Sequence, residues 1–189
     1  MRIISGTLGG RRLKAPPGDA TRPTSDKVRE AVFNILLARD APPGRVLDLY
    51  AGSGALGFEA LSRGAGEALF VELDRKTADV IRANADELGV GQNARVVCAR
   101  ATEWVRKQGP ASGQFNWIFL DPPYATGPRD GQLHGTLDVL SDGELLAPGG
   151  LIIAEHQWRI PPNARYGVLS ISDQRRYGQT TISFYTADT

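Results

Sequence analysis

An acid, two prolines and a tyrosine, Asp121-Pro122-Pro123-Tyr124, directly follow the apolar segment NWIFL. A carboxylate at the edge of an apolar core is costly unless it binds something, and the prolines fix the chain where it leaves a predicted strand. The Asp121 carboxylate and the Pro122 carbonyl could each accept an N–H from an exocyclic nucleobase amine, and so turn the nitrogen lone pair toward a methyl donor. Tyr124 offers a face on which the base can stack. The tetrapeptide therefore predicts a pocket for methylating an amine; a rigid strand exit is the alternative.

A glycine-rich segment, GSGALG at residues 52–57, connects a predicted strand to a predicted helix and satisfies the dinucleotide-binding pattern. Asp48 lies four residues before Gly52, and Glu72 lies twenty residues after it. Asp48 would repel the pyrophosphate of a nicotinamide dinucleotide, but it would attract the sulfonium and ammonium groups of S-adenosylmethionine (SAM). Glu72 can accept hydrogen bonds from both ribose hydroxyls. The two acids favour SAM over NAD; a turn capped by Asp48 is the structural alternative.

The composition of the 189 residues, 41% hydrophobic and 23% charged, is typical of one soluble globular domain. A single cysteine, Cys98, excludes an internal disulfide and any Cys-rich metal site, and His134 and His156 lack metal-ligand spacing, so we expect no metal. Because no signal peptide or membrane-spanning stretch is recognisable, we expect a cytoplasmic monomer without membrane association. Residues 1–30 hold seven basic and three acidic side chains. This excess indicates either a polyanionic partner or a solvated surface.

Apolar strands alternate with amphipathic helices along the chain, which predicts an α/β fold with a mostly parallel sheet covered on both faces. Before this core, RIISG and RRLKA are expected to pair as a hairpin, followed by a helix that begins at Thr24 or Ser25. We therefore predict an extension over residues 1–40 and a core domain over residues 41–189. The expected core strands are RVLDLY, EALFVEL, ARVVCA, NWIFL, GLIIAE, YGVLSI and TTISFYT.

Several longer segments can be compared with known families as a set: RIISGTLGGRRL, TRPTSDKVREAVFNIL, VLDLYAGSGALGFEALSRGA, FVELDR, RRYGQTTISFY and the Asp-Pro-Pro-Tyr signature. Together they resemble one family, the RsmD 16S rRNA guanine-N2 methyltransferases. The resemblance covers nearly the whole chain, and its N-terminal part is the most specific. It implies a Rossmann-like SAM-dependent methyltransferase fold with a seven-stranded sheet, a C-terminal antiparallel strand and an N-terminal hairpin and helix. It also implies transfer of a methyl group from SAM, leaving S-adenosylhomocysteine, to one guanine of 16S rRNA within the assembled or assembling 30S subunit.

The resemblance also assigns roles to individual positions. Asp48, Gly52 and Gly54 would hold the methionine end of SAM, and Glu72 would hold the ribose. The acceptor pocket would consist of Asp121, Pro122 and Tyr124. The further predicted cofactor contacts are Ala51, Ser53, Leu73, Ala101 and Asp121. The predicted RNA contacts are Arg11, Arg12, Lys14, Arg22 and Thr24, although Arg22 is equally consistent with a surface charge.

The chain departs from the family pattern at the end of the third core strand. An acid usually stands there to meet the adenine amino group, but this chain has Arg100. Adenine recognition would then depend on the Ala101 backbone or on Glu103.

Three other functions remain open at this point. A DNA adenine-N6 methyltransferase would use the same Asp-Pro-Pro-Tyr tetrapeptide. A non-catalytic RNA-binding protein would predict erosion of Asp48, Gly52 or Asp121, and all three are present. An NAD-dependent oxidoreductase is disfavoured by Asp48.

Overall fold

The computed structural model describes residues 1–16, 25–39, 43–123 and 131–188. The predictions that concern Arg22, Thr24 and Tyr124 fall outside these residues. The helices are α1 (Asp26–Leu37), α2 (Ala55–Ser62), α3 (Arg75–Leu88), α4 (Ala101–Gln108) and α5 (Gly131–Val139). The strands are β1 (Arg45–Asp48), β2 (Glu67–Glu72), β3 (Ala94–Cys98), β4 (Phe115–Leu120), β5 (Leu146–Gln157), β6 (Arg165–Tyr166), β7 (Leu169–Tyr177) and β8 (Thr180–Ala187).

One sheet runs through the described residues in the order β3-β2-β1-β4-β5-β8-β7-β6. The first five of these strands are parallel, and β8 pairs antiparallel with β5. The predicted α/β fold with a C-terminal antiparallel strand is confirmed. The eighth strand is the short β6 at the edge. The segment YGVLSI, expected as one strand, turns at Gly167, whose φ is +53°, so Tyr166 pairs back onto Leu169.

Helices cover both faces of the sheet, as the continuous apolar strands require. On one face, α1, α2 and α3 pack on residues such as Trp117 and Phe119, and Phe33 of α1 contacts both rings. On the other face, α4 and α5 pack on Leu47, Ile118 and neighbouring residues. The order of strands reverses between β1 and β4, which places the expected ligand crevice at the carboxyl ends of these two strands.

The helix boundaries have local causes. The Ser25 side chain accepts a hydrogen bond from the Val28 N–H and so caps α1, which confirms one of the two predicted caps. The Asp74 carboxylate accepts from the Thr77 N–H at the start of α3, and α3 ends at Gly89, whose φ is +74°, in the left-handed region that glycine adopts without strain.

The N-terminal segment folds back on itself, but with less regular pairing than predicted. A single antiparallel bridge joins Arg2 to Arg12, while Ile3 and Leu13 are buried in the core beneath α2 and α3. The buried carboxylate of Glu59, in α2, accepts the N–H groups of Ile4 and Ser5 at 2.7 and 3.1 Å. This N-terminal segment, residues 1–16, is therefore packed onto the core by specific polar contacts.

Candidate active site

The glycine-rich loop leaves β1 and turns into α2. Gly52 and Gly54 have φ values of +54° and +80°, which glycine adopts readily and other residues rarely adopt. A Cβ on Gly54 would lie 2.5 Å from the Phe58 ring, whereas a Cβ on Gly52 would meet nothing closer than a carbonyl 4.0 Å away. The two glycines thus have different roles: Gly54 allows close packing of the loop, and Gly52 leaves its outer side open to a ligand. A Cβ on Gly57 would lie 2.2 Å from Phe70, so this third glycine lets α2 pack directly on β2.

Asp48 is buried beneath this loop, with 1% of its surface exposed. One oxygen, Oδ2, accepts the Gly57 N–H at 3.2 Å, and Oδ1 has no hydrogen-bond partner among the described residues. Burial, with a smaller contribution from the Glu72 carboxylate, raises the pKa of Asp48 to about 7, against the lowering effects of the Gly57 and Tyr50 backbone N–H groups. A buried carboxylate with an unused oxygen and a raised pKa is suited to a cationic ligand, because a positive charge would stabilise its ionised form. This fits the ammonium group of SAM.

Glu72 lies opposite the loop, at the end of β2. Its Oε2 accepts the Gly52 N–H at 2.9 Å and its Oε1 accepts the Asp74 N–H at 2.9 Å. Each carboxylate oxygen has a second lone pair, so the side chain remains able to accept ribose hydroxyls. Leu73, the next residue, is 58% exposed, and an exposed apolar side chain at this position suits a flat adenine ring.

Arg100 lies just after the end of β3, at the position where the family usually has an acid. The Arg100 guanidinium pairs with Glu103 at 3.5 Å, and both side chains are more than half exposed. Arg100 is also the N-cap of α4, but its side chain makes no capping hydrogen bond. The first-turn N–H groups of α4, which begins at Ala101, are therefore donors without intrahelical acceptors. Both sequence-derived possibilities for the adenine contact, the Ala101 backbone and Glu103, stay predictions.

Asp121 follows β4 directly and lies beside the exit of β1. The register pairs Asp48 with Phe119, and the Leu49 N–H donates to the Phe119 carbonyl. Asp121 is partly exposed, whereas Pro122 is buried. The Asp-Pro pair is therefore held at the reversal point of the sheet, next to the glycine-rich loop, with the carboxylate accessible to a substrate.

Tyr50 is a site residue that the sequence reasoning missed. It stands between Asp48 and the glycines, and its hydroxyl lies 2.6 Å from Thr136 Oγ1 in α5. Thr136 Oγ1 in turn donates to the Gln132 carbonyl. This contact therefore connects the start of the glycine-rich loop to α5, the helix that follows the Asp-Pro-Pro-Tyr segment in the sequence. No local pattern indicates a pair separated by 86 residues.

Two of the predicted RNA-binding cations already contact α3. Arg11 donates to the Glu87 carbonyl at 2.7 Å, and Lys14 pairs with the Glu87 carboxylate at 2.9 Å. Both of these side chains are exposed, as is Arg12, whose side chain has no ion-pair partner among the described residues. The expectation that these three residues bind RNA stays a prediction.

The remaining candidates have structural roles. His156 is buried, with Nδ1 facing the Gln157 carbonyl and Nε2 facing the Ser183 hydroxyl within the sheet. Within the described part of the chain, no group of three His, Cys, Asp or Glu side chains could hold a metal ion. Over the same residues, no helix is long and apolar enough to cross a membrane.

The sheet, with its strand order reversed between β1 and β4, has the Rossmann-like methyltransferase fold, and the relatives of the chain show that it is a methyltransferase. The family model described as Conserved hypothetical protein 95 matches residues 1–186. The chain belongs to this family, and the membership of the RsmD family predicted from the sequence is confirmed.

Individual relatives agree with this assignment. The chain is 41% identical to the Ribosomal RNA small subunit methyltransferase D of Escherichia coli over 157 residues, which cover 83% of this chain and 75% of that protein. It is 37% identical to the Bacillus subtilis protein YlbH, with 98% of both chains covered. The solved structure of the Escherichia coli protein yhhF superposes with a TM-score of 0.85 at 34% identity and covers 100% of this chain and 98% of that chain.

Proposed function

We propose that this protein transfers a methyl group from SAM to the exocyclic N2 amine of one guanine in 16S rRNA, within the assembled or assembling small ribosomal subunit. The observation that carries this proposal is the position of Asp121 and Pro122 beside the glycine-rich loop, at the sheet's reversal point. The names of the relatives, Ribosomal RNA small subunit methyltransferase D, support small-subunit rRNA as the acceptor. When bound, SAM supplies an electrophilic methyl group, and S-adenosylhomocysteine is its product.

The chain's own residues hold the cofactor in this proposal. The unpaired Oδ1 of Asp48 accepts from the ammonium group, and the open side of Gly52 lets the backbone approach the methionine end. Glu72 accepts the ribose hydroxyls through its free lone pairs. The N–H groups at the start of α4, beginning with Ala101, meet the adenine. Ala51, Ser53, Gly54 and Leu73 line the remaining contact surface.

Asp121 and Pro122 position the acceptor nitrogen. An exocyclic amine is a poor nucleophile because its lone pair is delocalised into the ring. When the Asp121 carboxylate and the Pro122 carbonyl each accept one N–H, the lone pair is freed and directed away from these acceptors. The positive charge that develops on the nitrogen is stabilised by Asp121, so no strong base is needed. We assign Tyr124 the stacking of the base.

RNA contact from the N-terminal segment is part of the same proposal. Arg12 is exposed and can bind phosphate directly, whereas Arg11 and Lys14 would have to exchange their contacts with Glu87. Arg22 and Thr24 complete the set.

The large apolar side chains that are exposed in the described part of the chain are Met1, Leu37, Leu73 and Val168. Because they are few, we propose that the protein acts as a monomer.

Labelled methyl transfer from SAM to three acceptors tests the proposal: unmethylated small ribosomal subunits, protein-free 16S rRNA and duplex DNA. We expect incorporation into the ribosomal acceptors, with subunits the better substrate. Transfer to adenine in DNA with none to rRNA would assign the chain to the amino-methyltransferases of DNA instead.

A further inference from the structure

The carboxyl end of the sheet divides into two sides about Asp121. The glycine-rich loop, Glu72 and Ala101 follow β1, β2 and β3 and lie on one side of β4. Strands β5, β8 and β7 lie on the other. If SAM occupies the first side, the target nucleotide can approach over the second. The end of β5, the end of β7 and the start of β8 meet at this edge, so residues there are placed to meet the substrate.

Three residues at this second side form a basic, aromatic cluster. Trp158 follows β5, and the Arg176 guanidinium lies 4.0 Å from the centre of its indole ring, with that of Arg159 at 5.1 Å. The Trp158 N–H and indole N–H both donate to Gln179, at 3.0 and 2.7 Å. These bonds hold the ring against the turn between β7 and β8.

The two guanidinium groups retain donors for a ligand. Arg176 donates through Nε to the Gly178 carbonyl at 2.9 Å, which leaves its terminal N–H groups. Neither Arg159 nor Arg176 forms an ion pair with another described residue. The carboxylate on the neighbouring stretch, Asp173, is already paired with Arg39 and Arg175. A guanidinium stacked on an indole is fixed in its plane and presents its N–H groups outward in the geometry that phosphate accepts.

We propose that Trp158, Arg159 and Arg176 form a phosphate-binding surface for the RNA strand that flanks the target nucleotide. This inference rests on the proposed function and names the part of the protein that holds the substrate. Leu120 of β4 pairs with Ala154 of β5, so the residue after Ala154 is opposite Asp121. Trp158 lies three positions beyond that residue. At about 3.3 Å per residue and about 4.8 Å between strands, the backbone separation is roughly 11 Å. Phosphates next to a flipped base lie within such a reach, and their binding helps to offset the cost of unstacking it.

The test measures binding to unmethylated small ribosomal subunits across a salt series. It compares Arg159→Ala/Arg176→Ala with a control of equal charge loss, Arg95→Ala/Arg106→Ala. Arg95 in β3 and Arg106 in the last turn of α4 are exposed and lie toward the opposite end of the sheet. We expect the cluster variant to bind roughly tenfold or more weakly and its log–log salt slope to fall by about 0.7–0.9 for each lost contact. SAM affinity should be unchanged, which also verifies folding.

If the double variant is poorly folded, a second pair of variants, each with one substitution, tests the same proposal. Arg159→Glu reverses a charge that makes no hydrogen bond within the described chain, and Arg95→Glu is its control. Equal affinities and slopes for cluster and control variants would overturn the proposal. So would a loss seen with subunits but absent with protein-free 16S rRNA at low salt, since that result would assign the surface to a ribosomal protein. Methyl transfer by the wild-type protein is measured on the same particles. If the wild-type protein transfers no methyl group, the proposed function is contradicted. Weaker binding of the cluster variant than of its control would still support the RNA-binding surface.

Discussion

At the scale of single residues, the site depends on carboxylates in contrasting environments. Asp48 is buried with one unpaired oxygen and a pKa raised to about 7, whereas Asp121 is partly exposed at the rim. Glu72 is held by two backbone N–H groups. In the proposed function, the buried acid would respond to the charge of the cofactor, and the partly exposed acid would meet the acceptor.

SAM binding should depend on pH through Asp48. Protonation of the free protein below a pKa of about 7 removes the charge that attracts the ammonium group, so affinity should fall as the pH decreases from 8 to 5.5. Asp48→Asn should weaken binding at pH 8 by about 1.5–3 kcal/mol and reduce this dependence. Calorimetry measures SAM affinity for both proteins at each pH. Because the ligand titrates identically in both series, the difference between the two profiles is due to Asp48. Parallel pH profiles would show that Asp48 does not meet the cofactor.

The same substitution should stabilise the free protein. A folded-state pKa raised above the unfolded value means that Asp48 contributes stability at low pH, and this contribution is lost as the pH rises through about 7. Asp48→Asn should therefore raise the free energy of unfolding at pH 8 by on the order of 1–3 kcal/mol. The difference should shrink toward pH 4.5. Chemical denaturation at the two pH values measures it, and a less stable variant at pH 8 would contradict the assigned burial cost.

Asp121 should affect turnover far more than cofactor binding. Removal of an acceptor that acts mainly in the transition state typically lowers the rate by about 10²–10³. Asp121→Ala is therefore expected to lose methyl transfer to this extent in single-turnover assays at saturating SAM, and to weaken SAM binding far less. If the variant turned over at the wild-type rate, Asp121 would not be part of the catalytic site.

At the scale of elements, the N-terminal segment is connected to the cofactor loop through one buried amide. Asn84 of α3 accepts the Lys14 N–H at 2.9 Å and donates to the Lys14 carbonyl. It also donates to the Ser53 carbonyl at 3.2 Å, and the Ser53 hydroxyl contacts the Met1 sulfur. A segment proposed to bind RNA is thus bonded to the loop proposed to bind SAM.

Asn84→Ala should loosen both ends of this connection. It leaves the Lys14 N–H and the Ser53 carbonyl without their partner, at a cost of about 1–3 kcal/mol each where they remain buried. Hydrogen exchange should accelerate at the amide of Lys14, and SAM affinity should fall. Asn34→Ala, at an exposed position of α1, is the control. Unchanged exchange at Lys14 would show that the amide does not hold the segment.

The alternation of strands and helices was predictable because it follows from local periodicity, and so were Ser25 as a cap and the position of the glycine-rich loop. Contacts that depend on residues distant in sequence were not. Tyr50 meets Thr136 only because β1 and α5 are brought together by the sheet order. Glu59 could have been suspected, since it stands between Phe58 and Ala60 on an apolar helix, but its partners Ile4 and Ser5 follow only from the docking of the N-terminal segment.

At the scale of the whole molecule, the two proposed ligand sites lie on either side of β4. The acid–glycine–acid arrangement lies at the ends of β1 and β2, and the Trp158 cluster lies beyond β5. Asp121 stands between them, at the point where the order of strands reverses. In the proposed function, the methyl donor and the target nucleotide would meet at this one carboxylate.

The central claim is that the acceptor is the N2 amine of a guanine in 16S rRNA. Its most direct test is mass mapping of 16S rRNA fragments after incubation of unmethylated small subunits with SAM and either the wild-type protein or Asp121→Ala. The account predicts one fragment that gains a single methyl group, carried as N2-methylguanosine, with the wild-type protein, and the same fragment essentially unmodified with the variant. N6-methyladenosine, or a methyl group that persists at the wild-type level with Asp121→Ala, would contradict it.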